Sequence, residues 1–110
     1  MQLEEHSHGP ATVIAVIGRL DNATAPALGD RLSQVLQTRR ALLIDLSRLD
    51  YISSAGFRTL LVAGKQARQS DAQVVLSGLS VQVRQLFEVG GFLKLFRVCG
   101  TREEGLSALH

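Results

Sequence analysis

Apolar positions along the chain switch between two spacings, one near two residues and one near 3.6. Residues 1–7 partly alternate and predict an edge strand. Gly9-Pro10 is a turn signal, and "ATVIAVIG" is rich in β-branched residues, so a second strand follows and the opening reads as a hairpin. In "RLDNATAPALGDRLSQVLQ", Asp21, Asn22 and Thr24 are turn or N-cap types and Pro26 suits a first helical turn. Leu28, Leu32, Val35 and Leu36 then recur at helical spacing, with Gly29 weakening that helix.

"ALLIDL" is a continuous apolar run, the pattern of a strand covered on both faces. A second helix follows to about Gln69, and "AQVVLS" reads as another buried strand. Ser80 caps "VQVRQLFEV", where Val83, Leu86 and Phe87 share a face, and Gly90-Gly91 ends it. "LFRVC" predicts a last strand, and Thr101 with Glu104 a capping box for a short terminal helix. Strand, strand, then helix and strand in alternation imply right-handed crossovers. The expected fold is α/β: one domain over residues 1–110, a mostly parallel mixed sheet with an N-terminal hairpin, and about four helices.

Composition narrows the function. At 110 residues the chain can form one core without disulfide or metal. Its 12 bases and 10 acids give a formal charge of +2, the bases are not clustered, and one Tyr with no Trp offers little for base stacking. Nucleic-acid binding is therefore not expected. The single Cys99 cannot form an internal disulfide. "MQLEEHSHGP" is too polar for a signal peptide, and the longest apolar run is too short to span a bilayer. A cytoplasmic protein without membrane contact is the expectation.

In a parallel sheet, the loops leaving the strand carboxyl ends share one edge, where ligands usually bind. This brings together residues 20–24, 46–54 and 77–80. On a helical wheel the second helix turns Phe57, Leu60, Leu61, Gly64 and Ala67 inward, and Ala55, Arg58, Thr59, Val62 and Gln66 outward. At its start stand Ser53 and Ser54.

Three chemistries suit such serines. A nucleophile elbow needs G-x-S-x-G, but "YISSAG" supplies only Gly56. The histidines that could serve as base, His6, His8 and His110, sit near the termini. A helix cap explains one serine well. Phosphorylation explains an accessible hydroxyl followed by the small Ala55 and Gly56. A phosphate there would sit in the positive end of the helix dipole and leave the fold intact. Other chemistries fit less well. His6 and His8 would share a strand face but make a poor metal site alone. "AGKQ" has Gln66 where a P-loop needs Ser or Thr. No cofactor is indicated.

"LIDLSRLDYISSAGFRTLL" resembles the central segment of STAS domains, specifically the bacterial anti-sigma factor antagonists. "VIGRLDNATAPAL" and "VVLSGLSVQVRQLFEVGGFLKLFRV" resemble the flanking segments of the same family. The resemblance implies a non-enzymatic switch. Such a domain binds an anti-sigma factor that is also a GHKL-type serine kinase, and so frees a sigma factor. Phosphorylation of one serine breaks the complex, and a PP2C-type phosphatase resets it. The matching serine is Ser54, with Ser53 the second choice. Many members carry Asp-Ser-Ser-Gly or Asp-Ser-Thr-Gly; here Ser53 stands at the aspartate position and Ala55 after the serine. The implied partner surface comprises Asp21, Asn22 and Thr24 on one loop, and Ser53, Ser54, Ala55, Gly56, Arg58, Thr59 and Val62 at the start and along the second helix. The alternatives are a STAS scaffold or accessory subunit, and a small-ligand or nucleotide sensor using the same edge.

Overall fold

The structure, a computed structural model, describes residues 1–109, so His110 lies outside the described residues. Strands β1 (Gln2–His8) and β2 (Ala11–Leu20) form the expected antiparallel hairpin. Helix α1 (Ala25–Thr38) crosses to β3 (Ala41–Asp45), followed by β4 (Leu49–Ile52), α2 (Ser54–Gln69) and β5 (Gln73–Ser77). Helix α3 (Val81–Val89), a 3₁₀ turn at Phe92–Leu95, β6 (Arg97–Cys99) and α4 (Arg102–Ala108) complete the chain. The six-stranded sheet runs β1-β2-β3-β5-β6, with β4 paired to β2 off this path; all pairs except β1–β2 are parallel.

The division of β2 is what positions the site. Its first half, Ala11–Ala15, pairs with β3, and its last residues, Gly18–Leu20, pair with β4. The register shifts between Gly18 and Arg19, where Gly18 has φ +90° and donates its N–H to Arg48 O at 3.0 Å. A residue without Cβ makes that left-handed bulge affordable. Beyond it, Leu20 and Ile52 are cross-strand neighbours.

Both faces of β3 are covered, and all five of its residues are buried. Ile14, Val16, Leu42, Ile44 and Leu76 pack with Leu28, Leu32, Leu36 and Leu60 in one core. On the other face α4 lies so close that a Cβ on Gly105 would meet Leu43 Cδ1 at 2.5 Å. Serine and threonine caps form where the sequence placed them: Ser80 Oγ accepts from Val83 N at 3.2 Å, and Thr101 Oγ1 from Glu104 N at 3.1 Å.

Several expectations shift. Residues 49–52 pair as a strand, although the sequence reads them as loop. "LFRVC" is a strand only over Arg97–Cys99, because Phe92–Leu95 coil into a 3₁₀ turn. Phe96 follows that turn and packs on Gly64, where a Cβ would meet its Cζ at 2.7 Å. Leu86 is exposed rather than sharing the buried face of Val83 and Phe87. The buried stripe of α2 is Gly56, Leu60, Ala63, Gly64 and Ala67, while Phe57 and Leu61 are only half-buried. Phe57 stacks edge-on against Phe87, with ring centroids 4.8 Å apart, and so turns toward α3 rather than the sheet.

Candidate functional site

The pairing of β2 with β4 brings the two expected loops into contact. Ser53 N donates to Leu20 O at 2.8 Å, which ties the start of α2 to the end of β2. Ser53 is the N-cap, with extended backbone, and its Oγ accepts from Gly56 N at 3.2 Å. Ser54 is the first residue of the helix; it is exposed, and its hydroxyl makes no hydrogen bond to any described residue. The serines thus differ: one hydroxyl holds the helix end, and the other is free.

Gly56 is buried, contrary to its place in the expected partner surface. A Cβ on it would meet Leu20 Cγ at 2.6 Å and Leu20 O at 3.0 Å. It is a close-approach glycine, and its part is to let α2 seat on β2. Ala55 and Thr59 are half-buried, and Thr59 Oγ1 donates back to Ala55 O at 3.1 Å. Arg58 and Val62 face solvent.

Asp21 builds the facing loop. Its Oδ1 accepts from Ala23 N at 3.0 Å and Thr24 N at 3.1 Å, and the half-buried Thr24 returns a hydroxyl contact to Asp21 N at 2.8 Å. The Thr24 amide, aided by the Thr24 hydroxyl, the Ala23 amide and Arg19, holds the Asp21 carboxyl below the ordinary aspartate range despite some desolvation. Asp21 is thereby a turn-former whose charge is largely used within its own loop. Asn22 is exposed beside it.

Between α1 and α2 runs a groove of about 450 Å³. Asn22, Ala55, Arg58, Thr59 and Val62 line one part of it, so five of the expected residues share one concavity. The α1 wall, with Pro26, Asp30 and Ser33, was not anticipated. Its signal was present: these residues recur at helical spacing on the outer side of α1, opposite Leu28 and Leu32. Tyr51 was also missed; it is exposed on β4, with the Arg19 guanidinium 4.1 Å from its ring centroid.

The third expected loop, residues 77–80, meets the second at Leu46 and Ser47 rather than at Ser53 and Ser54. Ser77 O accepts from Leu46 N at 2.8 Å, Gly78 N donates to Cys99 O at 3.2 Å, and Gly78 presses on Ser47. Beside it Asp45, nearly buried, receives Arg102 Nη2 at 2.8 Å and Ser47 N at 2.9 Å. Arg102 in turn touches the His6 ring at 3.4 Å.

Comparison with known proteins is consistent across the chain. The STAS domain family matches residues 2–105. A Bordetella bronchiseptica protein provisionally named anti-sigma factor antagonist BtrV is 44% identical over 92 residues, 83% of this chain and 79% of that protein. The anti-sigma-B factor antagonist of Listeria monocytogenes is 33% identical over 87 residues, 77% of this chain and 75% of its own. The crystal structure of an anti-sigma factor antagonist from Mycobacterium paratuberculosis superposes with a TM-score of 0.87 at 25% identity, covering 98% of this chain and 92% of that one. No helix among the described residues is long and apolar enough to cross a membrane.

Proposed function

This chain belongs to the STAS domain family, with relatives named as anti-sigma factor antagonists, and on that premise we propose that it is a non-enzymatic, cytoplasmic anti-sigma factor antagonist switched by phosphorylation of Ser54. Unmodified, it docks an anti-sigma factor along the α1–α2 groove and the loop edge beside it. The anti-sigma factor is a GHKL-type serine kinase. It moves the γ-phosphoryl group of ATP to Ser54 Oγ: the O–P bond to serine forms, the bond to the bridging oxygen breaks, the hydroxyl proton leaves, and ADP departs. The phosphate adds a charge of about −1.5 to −2 at the edge. A partner packed there must desolvate or repel it, and each 1.4 kcal/mol of penalty weakens binding about tenfold. A PP2C-type phosphatase restores the hydroxyl with water as co-reactant.

The observation that supports this reading is the division of labour between the serines. Ser53 Oγ is occupied by Gly56 N, whereas Ser54 is exposed and unbonded, next in the chain to Ala55, which lines the groove. Phosphorylating Ser54 leaves the cap in place, so the modified chain stays folded.

The test is phosphate uptake from ATP with the cognate kinase, followed by intact mass. Ser54→Ala is expected to abolish uptake and Ser53→Ala to retain it. Ser54→Asp is expected to bind the kinase at least tenfold more weakly with unchanged circular dichroism. A full equivalent of phosphate on Ser54→Ala would overturn the assignment. The groove itself favours a second reading, a small-ligand or nucleotide sensor, which predicts a thermal shift with ligand and no need for a kinase. A scaffold role needs neither.

A further inference from the structure

Arg58 stands four residues beyond Ser54 in α2, on the same helix face, and both are exposed. Its guanidinium makes no hydrogen bond or ion pair with any described residue. Arg19, Arg31, Arg48, Arg84 and Arg102 each lie within 4.0 Å of a carboxylate oxygen, whereas Arg58 is uncommitted and free to take an anion. Arg58 is also the one cation among the described residues lining the α1–α2 groove. The one acid there, Asp30 on the facing helix, is not ion-paired with it.

Helix geometry directs that free cation toward Ser54. Side chains at i and i+4 are neighbours, about 5–6 Å apart at Cβ. Side chains in a helix lean toward its N-terminus, so Arg58 reaches over the turn that carries Ser54. A phosphate on Ser54 Oγ would lie within range of the guanidinium without backbone movement. Guanidinium and phosphate match in shape and pair through two parallel hydrogen bonds. Asp21 is engaged elsewhere: its Oδ1 accepts from Ala23 N and Thr24 N, and its Oδ2 lies 4.0 Å from Arg19 Nε.

We infer that Arg58 is the internal counter-cation of the switch: when Ser54 carries a phosphate, the Arg58 guanidinium leaves the groove and pairs with it. This rests on the proposed phosphorylation of Ser54. The modification then changes two charges. An anion appears one helical turn before Arg58, and the groove's cation is withdrawn from any acidic group of a docked partner.

The experiment places phosphoserine at residue 54 by genetic encoding, in otherwise wild-type protein and in the Arg58→Gln and Arg68→Gln backgrounds. The second ionisation of the phosphate is followed by ³¹P NMR at low salt. Pairing favours the dianion, so the wild-type phosphate is expected to titrate about 0.3 to 1 pH unit below that of Arg58→Gln. The gap should narrow as salt is added. Arg68→Gln, with its arginine exposed in the last turn of α2, should match wild type. Coincident wild-type and Arg58→Gln titrations would overturn the inference, as would an equal rise in Arg68→Gln. Because no kinase is used, a chain that no kinase accepts fails the proposed function without affecting this result.

Discussion

Gly56 lies against Leu20 with no room for a side chain: an added Cβ would sit 2.6 Å from Leu20 Cγ and 3.0 Å from Leu20 O. Leu20 is fully buried, and its carbonyl is already held by Ser53 N at 2.8 Å. Neither the side chain nor the backbone can retreat. Gly56→Ala is therefore expected to push the first turn of α2 off β2 and to destabilise the fold by about 1–3 kcal/mol. The melting temperature should fall by several degrees or more. Kinase recognition should also drop, although Ser54 itself is untouched. A variant that melts with wild type would show that the contact is slack.

The two serines should separate in stability as well as in chemistry. Ser53→Ala removes the acceptor of Gly56 N and is expected to cost about 1 kcal/mol. Ser54→Ala removes an exposed, unbonded hydroxyl and should stay within about 0.5 kcal/mol of wild type. Urea unfolding of the two variants gives the comparison. The reverse order would exchange their roles and make Ser53 the free hydroxyl.

These differences show how far the sequence could be read. Local chemistry was legible: the caps at Ser80 and Thr101, a cap at one of the two serines before α2, the hairpin turn, and the doubly covered run at β3 all depend on nearby residues. What escaped depends on distant partners. Residues 49–52 form only four strand residues, with Asp50 and Tyr51 exposed, and they exist as a strand because β2 bulges at Gly18 and frees Gly18–Leu20 to pair. The buried stripe of α2 took in Gly56 because Leu20 lies beneath it, a contact 36 residues away in sequence. The α1 wall of the groove became visible only once α1 and α2 lay side by side.

Asp45 carries a pH signature. Burial pushes its carboxyl up, but the Ser47 amide and side chain and the Arg102 guanidinium prevail and hold it below the ordinary aspartate value. A carboxyl depressed in the folded state contributes stability above its unfolded value, about 3.9, and loses it as pH falls through the folded value. Asp45→Asn should therefore flatten the acid limb of the stability curve below about pH 4. It should also cost about 1–3 kcal/mol at neutral pH, because Arg102 loses its acceptor. Urea unfolding between pH 7 and pH 3 reads both effects. Glu5, lowered by its bond to Arg31, remains in both proteins and sets the background slope. An Asp45→Asn variant with the wild-type acid limb would mean that this carboxyl binds protons equally in both states.

Val62 tests the groove independently of Ser54. It is 57% exposed in the groove wall, so replacing it forfeits little packing. Val62→Glu should leave the melting temperature nearly unchanged. It places a carboxylate one turn beyond Arg58, where a partner would have to bury it, and binding of the anti-sigma factor should weaken at least tenfold. Phosphorylation of Ser54 by that kinase should slow in proportion, since the phosphoacceptor is presented only after docking. Unchanged affinity with unchanged phosphorylation would confine the contact to the loop edge at Asn22 and Ser54, and the groove between the helices would then be free for a different ligand.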